Sequence, residues 1–169
     1  MQQDDDQNSV EEPISNKDDT TPSPMVINGQ YIKDLSFEVP QAPNIFTSLP
    51  SSKPDIKINV DVKAQHVTGN TYEVVLEITA NCSVNDNVAF ILELVYGGLF
   101  TVNVRDDYLQ VMLLIECPRQ IFPFARNIVA DISRDGGFPP VMLGPIDFAK
   151  MYHAEIDKRL KKDPDSQSA

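Results

Sequence analysis

The chain has 169 residues, 41% of them hydrophobic, with no Trp and a formal net charge of -11. That length suits one domain with one core. The acidic balance excludes nucleic acid as the main partner, because phosphate binding needs clustered Lys and Arg; a basic partner surface fits better.

Residues 1–24 hold seven acids (Asp4, Asp5, Asp6, Glu11, Glu12, Asp18, Asp19) and one base, Lys17, a net of -6 that leaves -5 for the rest. They are rich in Asp, Gln, Asn, Ser, Thr and Pro and poor in apolar residues, so an acidic disordered extension is predicted. Residues 163–169 read the same way, as a loose tail, which leaves 25–162 as the folded domain. The N-terminus lacks the apolar core of a signal peptide. No apolar run approaches the ~20 residues of a membrane span. A soluble cytoplasmic protein is therefore expected, without direct membrane insertion. Cys82 and Cys117 lie far apart in sequence and read as reduced, buried thiols.

The first strand signal lies in Tyr31–Pro43. Leu35, Phe37 and Val39 point to one side at period two, with Asp34, Ser36 and Glu38 on the other. Pro40 and Pro43 then remove backbone donors and force an extended loop. Ile56, Ile58, Val60, Val62 and Ala64 alternate with polar residues up to the turn signal Gly69-Asn70. Tyr72, Val74, Leu76, Ile78, Ala80 and Cys82 do the same up to Asn85-Asp86-Asn87. These are two half-buried antiparallel strands.

The next strand, Val88–Tyr96, is apolar on both faces, with Glu93 set between Ile91 and Val95. Such a second face calls for a cover. Gly97-Gly98 is read as a bend or tight turn before the strand resumes at Leu99–Val104. Asp107–Ile132 reads as an interrupted helix. Pro118 suits the first turn of its second segment, and Pro123 should disturb that segment. Ile121, Ala125, Ile128 and Ile132 form its stripe, widened by Phe124 and Val129. Tyr108–Ile115 is apolar on nearly every side, as expected of a helix covered from more than one direction, a second subunit included. Gly136-Gly137 ends the helix, and Val141–Leu143 reads as a short strand. Asp147 is a candidate N-cap for a last helix with Phe148, Met151, Tyr152 and Ile156 on one face. Lys158, Arg159, Lys161 and Lys162 close that helix, where positive charge complements its dipole.

Chemistry is scarce. His66 and His153 are the only histidines, and a Cys117–His153 nucleophilic pair is disfavoured because Cys117 precedes Pro118 in an apolar stretch. There is no C-x-x-C, H-x-x-x-H or H-E-x-x-H for a metal, and no phosphate loop around Gly97-Gly98. Asp34 and Glu38 stand roughly 13 Å apart along a strand, outside the ~5 to 9.5 Å of paired glycosidase carboxylates. The residues alone give an acidic α+β interaction protein with no visible active site.

Five blocks in this order are similar to the SecB family of bacterial export chaperones. They are Tyr31–Pro43, Tyr-Glu-Val-Val-Leu at 72–76, Gly-Gly-Leu-Phe at 97–100, Cys-Pro-Arg-Gln-Ile-Phe-Pro-Phe-Ala-Arg at 117–126, and the stretch from Gly137 to Phe148. The resemblance runs from about Gly29 to Leu160. It implies a four-stranded antiparallel Greek-key sheet with a crossover loop and two helices, assembled as a homotetramer, a dimer of dimers. It implies a holdase, not an enzyme, that uses no ATP and no cofactor, keeps unfolded preproteins translocation-competent and passes them to the SecA ATPase. The SecA-docking patch falls on Asp34, Glu38, Ile91 and Glu93. The client groove falls on Phe37, Pro40, Pro43, Phe46, Ile56, Ile58 and Phe148. The family often carries a Trp in the crossover loop; Phe46–Ser52 has none, so any aromatic contribution there is weakened or passes to Phe46. The C-terminal tail carries mixed charge where the family uses it on SecA. The competing reading is an oligomeric scaffold that binds one folded partner; competition by several unrelated unfolded chains would count against it.

Overall fold

The computed structural model describes residues 22–49 and 53–162. The expected acidic extension, the tail and Pro50–Ser52 of the crossover loop lie wholly or largely outside the described residues. Four long strands form one antiparallel sheet: β1 (Met25–Glu38), β2 (Asp55–Thr68), β3 (Thr71–Val84) and β4 (Asn87–Val102). Their order is β1-β4-β3-β2. Three strands run as a meander, and β1 pairs with the last of them across a long connection, the Greek-key arrangement. The two hairpin turns are short because their residues tolerate left-handed backbone. Gly69 sits at φ 53° between β2 and β3, and Asn85 and Asp86 sit at φ 50° and 63° between β3 and β4.

β1 begins six residues before Tyr31, at Met25, where Met25-Val26-Ile27 followed by Asn28-Gly29-Gln30 shows no period-two alternation. β4 differs from expectation more sharply, because Gly97-Gly98 neither bends nor ends it. The doublet lies inside the strand, paired to Tyr31 and Gln30 of β1 and to Val75 and Val74 of β3. Each glycine makes room on one face. A Cβ on Gly97 would stand 2.6 Å from the Tyr31 ring, and a Cβ on Gly98 would stand 2.5 Å from Phe100 and 3.0 Å from Ile121. Glycine here serves close approach of packed side chains.

The helical stretch is continuous from Asp106 to Asp135, in three parts: α2 (Asp106–Val111), a π turn (Met112–Glu116) and α3 (Cys117–Asp135). One helical turn, α1 (Ile45–Ser48), precedes β2. The π turn has a local cause. Pro118 has no N–H, and the N–H of Cys117 just before it bonds Met112 five residues back. Pro123 lies inside α3 on its exposed side. The buried stripe of α3 is Ile121, Phe122, Ala125 and Val129, ending at Ser133; Phe124 is 52% exposed and faces out. Val141–Leu143 is not a strand. Its pairing is local: the Ser133 hydroxyl donates to the Val129 carbonyl at 2.8 Å and accepts the Val141 N–H at 2.8 Å. Asp147 caps α4 (Phe148–Lys162), its carboxylate accepting the Lys150 N–H at 2.9 Å.

One face of the sheet packs on α3 and the Phe138–Phe148 segment. Val74, Leu76, Ile78, Leu92 and Phe100 are fully buried there with Ile121 and Val129. The other face carries no element among the described residues. No helix among them is long and apolar enough to cross a membrane.

Candidate functional site

Register fixes which side chains share the open face. Asp34 is opposite Val95, Ser36 opposite Glu93 and Glu38 opposite Ile91 on β1 and β4. Glu93 and Ile91 in turn face Thr79 and Asn81 of β3. Directly opposed residues lie on one side of an antiparallel pair, ~4.5–5.5 Å apart at Cα. Asp34, Glu38, Glu93 and Ile91 therefore form one cluster: two carboxylates along β1 and a third between them on β4, beside a half-buried Ile91. None of the three carboxylates has an ion-pair partner among the described residues. Their negative field stays available to an outside cation.

Two carboxylates further along the same face, Glu73 and Glu77, are consumed internally. Glu73, 6% exposed, accepts from the Tyr31 hydroxyl at 2.6 Å, from Lys33 Nζ at 2.8 and 2.9 Å, and from Gln65 Nε2. The Lys33 and Tyr31 hydrogen bonds hold its carboxyl below the ordinary value of 4.5. Burial, then the bond to Glu73, pushes the Tyr31 hydroxyl up to about 12. Glu77 pairs with Lys63 at 2.7 Å. This network ties edge strand β1 through β3 to edge strand β2.

On the helix side, β2 presents Ile56, Ile58, Val60, Val62 and Ala64 in one row, opposite Cys82, Ala80, Ile78, Leu76 and Val74. The row is about 27 Å long. β2 is also an outer strand of the sheet, so one row of its backbone groups has no strand partner among the described residues. A channel of about 800 Å³ runs between the Asn59–His66 part of β2 and the α2–α4 side, walled by Leu109, Leu113, Leu114, Met151, Tyr152 and Ile156. Glu155, Lys158 and Arg159 stand on its rim. Ile56 and Ile58 continue the row beyond the channel, 40% and 44% exposed.

The family model of the preprotein translocase subunit SecB matches residues 18–159. The chain belongs to the SecB family. A protein-export protein SecB from Paramagnetospirillum magneticum is 52% identical over 128 residues, 76% of this chain and 83% of that protein. Its counterpart from Rhodospirillum rubrum is 52% identical over 134 residues, 79% and 83% of the two chains. The Hyphomonas neptunium protein is 43% identical over 153 residues, 89% of each. Among solved structures, a Mycobacterium tuberculosis SecB-like chaperone in complex with a ChAD peptide from an antitoxin matches with TM-score 0.60 at 13% identity. The match covers 72% of this chain and 90% of that one, a likeness of fold.

Within this SecB fold, Phe37, Phe46, Phe90 and Phe138 build an aromatic cluster near the start of the crossover loop. Ring centroids lie 5.3 Å apart for Phe37–Phe90, 5.1 Å for Phe46–Phe138 and 4.9 Å for Phe90–Phe138. Ile58, Ala80, Leu92 and Phe37 fall in one row across the sheet, so Phe37 and Ile58 mark opposite ends of the same line. Pro40 and Pro43 are exposed on the loop leaving β1. Phe148 stands apart from these. It is 1% exposed, edge-on to Phe122 at 5.8 Å, and anchors the start of α4 in the core.

For several residues of the channel, the aromatic cluster and the open face, the sequence alone does not give their place. Met151, Tyr152 and Ile156 were legible as the apolar face of the last helix, but their partner strand was not. Phe138 and Glu73 carried no signal that singled them out. The thiols are inert by placement: Cys117 is fully buried, and burial with the Glu116 charge pushes it up to about 12. His66 is engaged with the Gly69 carbonyl at 2.8 Å.

Proposed function

We propose that this protein is a cytoplasmic, ATP-independent holdase of protein export. It binds unfolded preproteins, keeps them translocation-competent and delivers them to the SecA translocase ATPase. The observation that carries this reading is the apolar row of β2, unpaired at the sheet edge and facing α4 across an open channel. An extended client segment gains there in two ways. Its apolar side chains leave water at ~25 cal/mol per Å², and its backbone pairs with the free edge of β2. Both contacts respond to exposed, unfolded chain and little to its sequence. Ile56, Ile58 and the Phe37–Phe46 cluster with Pro40 and Pro43 extend the surface past the channel.

Asp34, Glu38, Glu93 and Ile91 are the docking patch for SecA. Three carboxylates with no ion pair among the described residues, around one apolar side chain, fit a basic surface with an apolar anchor, and long-range attraction speeds the encounter. The homotetramer, a dimer of dimers, is supported by what one chain leaves uncovered. Tyr108 is 56% exposed, Val26 44% and Ile32 48%, and Met112 and Leu114 are half-buried.

The test is light scattering on a slow-folding preprotein diluted from denaturant, with and without SecA. Suppressed aggregation without nucleotide is expected, with a particle mass near four times 18.9 kDa. A strict monomer that leaves aggregation unchanged would overturn the proposal.

A further inference from the structure

Tyr31 and Asp34 share the open face, although period-two alternation puts residues three apart on opposite faces. Tyr31 is opposite Gly97 and Asp34 opposite Val95, so β1 spends three steps where β4 spends two. The ladder shifts between Ile32 and Asp34, and the residue it sheds there is Lys33, a β-bulge. The apolar pattern requires a bulge at this point and leaves its exact place open. Ile32 pairs with Tyr96 and Leu35 with Leu94, and between those partners only Val95 is left to face Lys33 and Asp34. Whichever of the two is shed, Ile32 and Leu35 keep their partners. Hydrophobic burial therefore does not choose between them.

Charge does. Lys33 Nζ donates to both carboxylate oxygens of Glu73, at 2.9 and 2.8 Å, and Tyr31 and Gln65 donate to the same carboxylate. Glu73 is buried, and a buried carboxylate stripped of its cation is costly. Among the described residues, Lys33 is the cation that pairs with it. A Lys33 seated opposite Val95 stands farther off, because that row lies about 13 Å along the sheet from the Leu99 row that holds Glu73. Its neighbour on β3 would then be Glu77, which is opposite Val95. The open face would show an ammonium where it now shows the Asp34 carboxylate.

We propose that Glu73 is a positioning residue for SecA docking: by capturing Lys33 as the bulged residue, it seats Asp34, and not Lys33, opposite Val95 and near Glu93. The proposal rests on the reading of Asp34, Glu38, Glu93 and Ile91 as the SecA patch, and adds what fixes the sign of its charge. Glu73 acts through Lys33 and touches no partner itself. With the bulge moved by one residue, the patch exchanges one of its three carboxylates for a cation, and its attraction for a basic surface falls. Tyr31 and Gln65 support the same device from β1 and β2, since their bonds hold the Glu73 carboxylate where Lys33 reaches it.

The experiment uses the full chain with labelled Val methyls. It reads NOEs from Val95 to the β1 backbone, beside SecA affinity by surface plasmon resonance. In the unaltered chain Val95 should see the Asp34 amide. Glu73→Gln should move those NOEs to Lys33 and weaken SecA binding about fivefold. Deleting Lys33 leaves no residue to shed, so Asp34 faces Val95 whichever residue stands at 73. Glu73→Gln with Lys33 deleted should therefore bind SecA within about twofold of the unaltered chain, a rescue that lost stability does not give. The deletion by itself should keep that affinity and the Val95–Asp34 NOE, a measurement independent of whether Glu73→Gln folds. NOEs that stay on Asp34 in Glu73→Gln, unchanged affinity in that variant, or affinity lost on deleting Lys33 would overturn the inference. Any of these, with SecA bound by the unaltered chain, sinks the inference alone. NOEs that move with no SecA binding by any form sink the docking reading and leave Glu73 as the residue that sets the register.

Discussion

Tyr31 lies across Gly97, reaching over β4 from β1 to place its hydroxyl 2.6 Å from Glu73 on β3. The pair couples an edge strand to the sheet centre through a missing side chain. Its neighbour Gly98 plays the same part on the opposite face for Phe100 and Ile121. The two substitutions should differ in cost. In Gly97→Ala the Tyr31 ring, 38% exposed, can swing outward and surrender its bond to Glu73, a loss of about 1 kcal/mol. Gly98→Ala meets fully buried neighbours and should cost about 1–3 kcal/mol. Urea unfolding of both variants checks the order.

The Tyr31–Glu73 pair also sets a pH dependence. Glu73 is held below 4.5, so its stabilisation is fully present above pH 4.5 and is lost as pH falls through the lower folded value. Tyr31 is raised from 10.0 to about 12, so its share is present below pH 10 and lost as pH rises through about 12. Glu73→Gln should remove the acid-side slope, lower the Tyr31 titration and cost about 1–3 kcal/mol. Tyrosine titration by NMR and denaturation against pH measure both ends.

Client binding should depend on the exposed end of the β2 row. A fully buried Ile contributes ~1.5–3 kcal/mol, and Ile56 and Ile58 have nearly half of their surface left to bury. Ile56→Ser/Ile58→Ser should weaken client binding by about 2 kcal/mol, roughly thirtyfold. Fold stability should change little, because neither side chain is in the core. Fluorescence titration beside a urea melt separates the two effects.

SecA docking should respond to charge on the other face. Asp34→Lys/Glu93→Lys replaces two carboxylates of the patch with cations and should weaken SecA binding at least about tenfold, chiefly through a slower on-rate. Client affinity and tetramer mass should hold. Surface plasmon resonance at two salt concentrations reads the effect, and equal loss of all three properties would assign these side chains to structure.

Both cysteines should be silent to a thiol reagent in the native protein at pH 8. Cys82 is 2% exposed and Cys117 fully buried, and burial raises both thiols. Two equivalents per chain should react after unfolding in guanidinium.

Period-two alternation, turn residues and helix caps act locally, so they were legible in the chain itself. The cores of β2 and β3, the Asn85-Asp86 turn and the Asp147 cap stand where those patterns put them. The family blocks, read with that pattern, also carried the fold class. What the sequence could not express was adjacency between distant segments. Gly97-Gly98 looks like a break until Tyr31 and Ile121 are brought against it. The apolar row of β2 looks like ordinary core until α4 lies across part of it and leaves the rest open. Glu73 looks solvated until Tyr31, Lys33 and Gln65 converge from two other strands. Glycine, Ile and Glu have the same local propensities in either role. The choice between them is made by register and packing, which depend on contacts between segments tens of residues apart.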